Sequence, residues 1–260
     1  MVWVIRGLRD GIVTTRYPAR PDGYGEGWRG AVAVVGDPAA TGEDGSDLAR
    51  LCPTGAISHQ GARVALDRGR CILCGRCVAA RPDLFALDPA VEVAAVTREG
   101  LVVPPAEDEA AVAAVRADLA RRVRGLRRSV SIRHVDAGSD GAVEWEVAAL
   151  TNPVYDVARL GVFFTASPRH ADLALVTGAG TTGMAAPLRR TLEAMPDPKV
   201  VVAAGTDAVS GGLVHPTDAT GGGVSDLVPV DVWVPGSPPS PFSLLHGILV
   251  AVGLLPRGRR

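Results

Sequence analysis

From Ser129 onward, short apolar runs alternate with stretches of helical spacing. The runs are Ser129 to Asp136, Ala171 to Thr177, Lys199 to Ala204 and Leu227 to Val234, and the helical stretches lie near Glu144 to Leu150, Met184 to Met195 and Phe242 to Leu255. Strands alternating with helices in this order predict an open, mostly parallel α/β sheet over residues 128–260. In such sheets the site lies in the crevice beyond the carboxyl ends of the strands, where loops begin at Gly138, Gly178, Gly205 and Gly236. Ahead of this domain, Val112, Val115, Leu119 and Val123 share one helical face. Glu107, Asp108 and Glu109 stand at the start of that helix, Arg121, Arg122 and Arg124 at its end, and Gly125 closes it. The expectation is a solvated helical linker over 106–127. Between 31 and 105 the pattern gives short strands, among them Val91 to Thr97. Residues 1–30, rich in Arg, Gly and Pro with β-like pieces such as Gly11 to Thr15, read as an extended arm.

The segment 31–105 holds all four cysteines of the chain: Cys52, followed at once by Pro53, then Cys71, Cys74 and Cys77 at two-residue spacings. Three thiolates on one short loop can reach three corners of an iron–sulfur cubane if the backbone wraps tightly, and Gly75 inside the trio permits that wrapping. Bacterial ferredoxins use this trio, and complete it with a distant cysteine followed by proline. The segment therefore reads as an α+β ferredoxin-like module carrying one 4Fe-4S cluster on Cys52, Cys71, Cys74 and Cys77. A structural zinc site is the alternative, although zinc ribbons usually use two separated pairs.

Bulk properties change this picture little. The 260 residues suit two domains, and 31 glycines with 20 prolines imply many turns. A formal net charge of −1 gives no reason to expect nucleic acid. Met1 to Asp10 carries two arginines and lacks the apolar core of a secretory signal. The longest apolar stretch, Phe242 to Leu255, falls short of the roughly 20 residues that span a bilayer. The expectation is a cytoplasmic protein without a span of its own, meeting the membrane only through partners.

Motifs in the sheet domain carry a resemblance. These are Tyr155-Asp156-Val157-Ala158-Arg159, Ser167-Pro168-Arg169-His170-Ala171-Asp172, Val176-Thr177-Gly178, Met184-Ala185 with Leu188-Arg189-Arg190, Pro196-Asp197-Pro198-Lys199 and Val230-Asp231-Val232-Trp233-Val234-Pro235-Gly236. In order, they resemble the small iron–sulfur subunit shared by respiratory complex I, the NADH-quinone oxidoreductase, and the energy-converting NiFe hydrogenases. Arg6-Gly7-Leu8-Arg9, Val13 to Pro18 and Cys52-Pro53-Thr54-Gly55-Ala56-Ile57 resemble the two-cluster ferredoxin subunit of the same complexes. The chain looks like a fusion of the two.

The resemblance also shows what is missing. It puts the four ligand positions of the small subunit's terminal cluster at Asp140, Val143, Asp207 and Ser237, none of which is a thiolate. The spacing around Cys52 and Cys77 puts Gly42, Gly45, Leu48 and Arg81 where the other ferredoxin cluster would be ligated. Both sets are vacated, and one set is complete. Asp140, Asp207 and Ser237 offer oxygens that a cation could use, though they read more simply as polar fillers of a vacated pocket. Glu144 and Glu146 beside them fit the charge preference of a helix start.

The resemblance implies an iron–sulfur electron-transfer subunit of a respiratory complex, a component of an oxidoreductase and not catalytic alone. Its implied partners are a large subunit with a quinone pocket or NiFe centre, and membrane subunits holding the chain at the inner face of the cell membrane. The competing expectation is a non-redox scaffold in which the single cluster is structural.

Overall fold

The structure is a computed structural model that describes residues 2–20, 22–25, 27–37, 45–60, 63–105, 107–126, 129–214 and 216–255. Residues 2–10 are not extended; they form helix α1 (Val2–Asp10), none of whose residues is buried. The Pro and Gly content that argued for an extended arm lies downstream of Asp10, and α1 itself holds a single glycine. No strand forms over Gly11 to Thr15. That stretch is instead tied to the sheet domain, with Thr15 N donating to Val154 O at 2.7 Å and the Tyr17 ring edge-on to Phe242 at 5.8 Å.

The module follows as β1 (Ala31–Val34), α2 (Gly45–Leu51), β2 (Ile57–Gln60), β3 (Arg63–Asp67), α3 (Arg76–Ala80) and β4 (Phe85–Asp88). β1 pairs antiparallel with β4, and β2 with β3, to which β5 (Val102–Val103) adds a third strand. Val32, Leu48, Ala56, Ile57, Val64, Leu66, Leu84 and Phe85 make its core together with Cys77. The expected strand Val91 to Thr97 reduces to one antiparallel bridge, Ala95 to Trp233.

Helix α4 (Glu109–Arg122) is capped by Asp108, whose side chain accepts from Ala110 N. It is more than a solvated connector: Leu119 and Val123 are buried in the sheet domain's core, while Val115 faces solvent. The sheet domain then runs β6 (Val130–Asp136), α5 (Ala142–Ala149), β7 (Val162–Phe164), β8 (Leu173–Thr177), α6 (Thr182–Ala194), β9 (Val200–Ala204), α7 (Thr206–Ser210), β10 (Val232–Val234) and α8 (Pro241–Ala251). Every pairing in it is parallel, in the order β10-β9-β8-β6-β7. Of the expected strand Leu227 to Val234, only Val232 to Val234 joins the sheet.

Both faces are covered, as parallel sheets require. Ile132, Leu173, Leu175, Val200 and Val202 pack on one side with α5 and α8. Ala174, Val176, Val201 and Ala203 pack on the other with α6 and α7. The chain leaves β6 toward β7 on one side and returns to β8 on the other, so the carboxyl ends of β6 and β8 flank the switch point where a crevice opens. Among the described residues no helix is long and apolar enough to cross a membrane.

Candidate iron-sulfur site

Helix α2 delivers Cys52 to the turn Pro53-Thr54-Gly55. Gly55 has φ +62°, a left-handed value that folds the chain back so that Ala56 N donates to Cys52 Sγ at 3.2 Å. The second loop leaves β3 at Asp67 and wraps through Leu73 at φ +57° and Gly75 at φ +74°. Leu73 accepts the left-handed strain of a non-glycine residue, and its N–H points at Cys71 Sγ, 3.4 Å away. Gly75 starts α3, whose first turn carries Cys77. Cys52, Cys71, Cys74 and Cys77 thereby line one pocket with Val32, Ala56, Ile57 and Leu66 as apolar walls. Cys77 is buried, Cys52 and Cys71 are half-buried, and Cys74 is exposed.

Burial pushes the Cys71 thiol up to about 11, and the neighbouring sulfurs push in the same direction. Cys77 is raised for the same leading reason. Four thiolates in such a pocket repel one another and lack solvation; a positively charged metal core removes both penalties and releases the protons. The four sulfurs line one pocket together, and among the described residues no group of three or more His, Cys, Asp or Glu side chains is set to hold a single metal ion. Soft sulfur donors, backbone N–H groups aimed at them and dry walls fit an iron–sulfur cluster.

The sheet domain grips this pocket from behind. Thr206, buried at the start of α7, donates its hydroxyl to the Cys71 carbonyl at 3.2 Å and accepts from Gly236 N at 3.2 Å. One turn later Ser210 Oγ donates to Gly69 O at 2.9 Å. Asp67 is held by Arg98 through two bonds of 2.8 and 2.6 Å, and its Oδ1 accepts from Gly69 N at 2.8 Å. Cys71 and Leu73 share a small cavity with Val93, Pro235 and Gly236. The cysteine loop thus lies against the carboxyl ends of β9 and β10.

The positions matched to the terminal cluster gather on the same side. Asp140 is exposed, and its Oδ1 accepts from Ala142 N at 2.9 Å as a turn before α5. Val143 is buried beneath Gly205, where an added Cβ would meet Val143 Cγ2 at 2.7 Å. Asp207 is half-buried and Ser237 exposed. Burial raises the Asp207 carboxyl above its ordinary value, and Asp140 and Glu144 add to the rise. Asp140 and Asp207 are brought together, whereas a methyl-bearing side chain occupies the space between the loops. In the module, Gly42 lies outside the described residues, Gly45 and Leu48 belong to α2 with Leu48 in the core, and Arg81 ends α3 paired with Asp83 at 2.6 Å.

Sequence reasoning left one group unassembled. Thr177, buried at the end of β8, donates to Glu144 Oε1 and lies 3.0 Å from His134 Nε2, while Glu144 Oε2 is buried with no hydrogen-bond partner among the described residues. Glu144 does stand in the first turn of α5, as its charge suggested. The parallel register of β6 with β8 is what joins it to His134, and no local motif announces that register.

Two separate stretches of the chain match known families. Residues 64–117 match the 4Fe-4S single cluster domain, a span that takes in Cys71, Cys74 and Cys77 and leaves out Cys52. Residues 141–251 match the NADH ubiquinone oxidoreductase, 20 Kd subunit. The probable membrane-bound hydrogenase subunit mbhJ of Pyrococcus furiosus is 37% identical over 134 residues, which cover 52% of this chain and 80% of that protein. The chain belongs to the 20 Kd subunit family. Formate hydrogenlyase subunit 7 of Escherichia coli is 39% identical over 156 residues, 60% of this chain, and the chain spans only 60% of that relative's length. A chain in the structure of the membrane-bound sulfane sulfur reductase, an archaeal respiratory membrane complex, aligns at 29% identity with a TM-score of 0.45, over 53% of this chain and 76% of that one. The match to the 20 Kd subunit family runs from α5 through α8 and so contains Val143, Asp207 and Ser237, with Asp140 one residue before it.

Proposed function

We propose that the chain is an electron-transfer subunit of a membrane-associated complex related to complex I and the energy-converting hydrogenases, and that it carries one 4Fe-4S cluster on Cys52, Cys71, Cys74 and Cys77. When bound, such a cluster supplies one-electron transfer. The observation that carries this reading is the convergence of all four thiols on one apolar pocket whose loop is bonded, through Cys71 O and Thr206, to the strand ends of the sheet domain. The residues of the chain hold the sulfurs, aim N–H groups at them and exclude water, and these are the protein's means of setting a cluster potential. The fit with the family names of its relatives extends the reading to partners: a large subunit over the strand-end crevice and membrane subunits beyond it, at the inner face of the membrane.

A second reading has its own observation. The crevice where a terminal cluster would hand electrons onward presents Asp140, Val143, Asp207 and Ser237 and no sulfur, which suits a scaffold whose cluster only staples the module. Iron and acid-labile sulfide per chain, with spectra of the reduced protein, test the cofactor: four of each support one cubane, eight or more sink the ligand assignment, and zinc alone sinks the redox reading. Reduction by a physiological donor followed by reoxidation on adding the large subunit supports the relay. A cluster that resists reduction across the physiological range leaves the scaffold.

A further inference from the structure

Among the described residues, helix α1 gathers the largest group of exposed apolar side chains. Val2 is 81% exposed, Trp3 79%, Ile5 66%, Leu8 81%, and Ile12 just beyond it 87%. It is also held in place. Gly11 N bonds back to Gly7 O at 3.0 Å, Tyr24 Oη donates to Val13 O at 2.7 Å, and Thr14 Oγ1 donates to Pro153 O at 2.8 Å. A fixed stalk therefore presents a helix that covers nothing in its own chain, and a contiguous exposed apolar surface of this kind marks an interaction site.

We propose that α1 lies in the headgroup region of an anionic lipid bilayer, so that the chain contacts the membrane directly as well as through partners. Two features point to lipid. At about 100° per residue, Trp3, Val4, Leu8 and Ile5 occupy roughly 200° of the helix circumference. A helix seated in a protein groove presents a narrow row of anchors, whereas a helix lying in a bilayer surface buries one broad apolar face at the headgroup boundary and turns its basic residues to the headgroups. The remaining arc carries, in order, Arg9, the apolar Val2, Arg6 and Asp10. Arg6 is shared with Asp10 at 3.6 Å, while Arg9, and Arg16 and Arg20 after it, form no ion pair among the described residues. These arginines give a locally basic segment in a chain of net charge −1, complementary to acidic headgroups, and Trp3 is the side chain most at home at that interface.

Cosedimentation of the full-length, cluster-loaded protein tests this with vesicles of phosphatidylglycerol mixed with phosphatidylcholine, and with phosphatidylcholine alone. The expected result is binding to the mixed vesicles at least about tenfold stronger than to the neutral ones, weakening with salt. Ile5→Glu/Leu8→Glu removes it, and Arg6→Gln/Arg9→Gln lowers it and flattens the salt dependence. Neither pair disturbs packing, because α1 buries nothing, and the cluster's visible absorbance verifies that. A wild-type protein that sediments with neither vesicle, as expected if α1 seats on a protein subunit, overturns the proposal. So does an Ile5→Glu/Leu8→Glu protein that binds as the wild type does. Neither outcome depends on whether the cluster carries electrons.

Discussion

The hydroxyl of Thr206 donates to the carbonyl oxygen of Cys71, 3.2 Å away, and so ties the residue before Asp207, in the sheet domain, to the loop that carries Cys71, Cys74 and Cys77. Thr206→Val keeps the shape and deletes both bonds, stranding the buried Gly236 N–H and the Cys71 carbonyl. The expected cost is about 1–3 kcal/mol in denaturant unfolding, together with a shifted cluster reduction potential and altered spectrum of the reduced protein. Thr206→Ser restores both. A valine variant with an unchanged potential would show that the bond holds the domains together and nothing more.

Asp67 anchors the same loop from its other end, through Arg98 and Gly69 N. Asp67→Ala leaves a half-buried guanidinium without its carboxylate and is expected to destabilise the protein by roughly 2 kcal/mol. Faster loss of iron to a chelator should accompany it, since the wrap leading to Cys71 is freed. Arg98→Ala combined with Asp67→Ala should cost less than the sum of the two, which a double-mutant cycle measures.

His246, on α8, is kept neutral: Ala94 N donates to its Nδ1 at 3.2 Å, and burial, helped by Arg116, lowers its pKa to about 4. The unfolded chain takes up this proton near pH 6.5, before the folded one does. Stability from this group is therefore complete above about pH 6.5 and is lost as pH falls toward 4, by about 3 kcal/mol in all. Urea midpoints measured from pH 7 to pH 5 should fall more steeply for the wild type than for His246→Gln.

Returning thiols to the vacated terminal site tests the placement of its four positions. Asp140→Cys, Val143→Cys, Asp207→Cys and Ser237→Cys together are expected to raise iron and sulfide from one cluster to two per chain. The Val143 change is the decisive one, because its buried side chain is packed against Gly205 and offers no donor. Iron unchanged in the fourfold variant would mean that the loops have closed on the vacated site.

Asp207 alone gives a simpler reading of the same pocket. Burial and the nearby Asp140 and Glu144 raise its carboxyl, so the folded state binds the proton more tightly than the unfolded state. This group's contribution to stability is greatest in acid and declines as pH rises through the raised value. Asp207→Asn should raise the thermal midpoint at pH 7 by a few degrees, and the gain over wild type should shrink toward pH 4.

Features encoded within one loop or one helix were legible in the sequence. The cysteine spacing grouped Cys52, Cys71, Cys74 and Cys77 with Gly75, and these line one pocket, because such a loop is a local object. The runs Ser129 to Asp136 and Lys199 to Ala204 became β6 and β9 nearly residue for residue. What depended on distant pairing was not legible. Val162 to Phe164 is too short to signal a strand and becomes one by lying beside Val130 to Ile132. Val91 to Thr97 has strand-like residues but pairs as a strand at a single point, Ala95 with Trp233. Leu119 looked like one side of a free helix and is instead covered in the sheet domain's core. Thr206 carried no motif at all, since its importance comes from a loop more than a hundred residues away.

Cys74 is exposed while Cys77 is buried and Cys52 and Cys71 are half-covered. With a cluster in place, oxygen and other small oxidants would reach it from that corner, where giving up one electron to the oxidant would release the iron held by Cys74 and leave that thiolate free. The other three ligands, two of them walled by the module and one pinned to the sheet domain, would outlast it. Oxidative damage should therefore proceed through a three-cysteine remnant before the pocket empties, and a freshly exposed Cys74 thiol is the chemical mark it would leave.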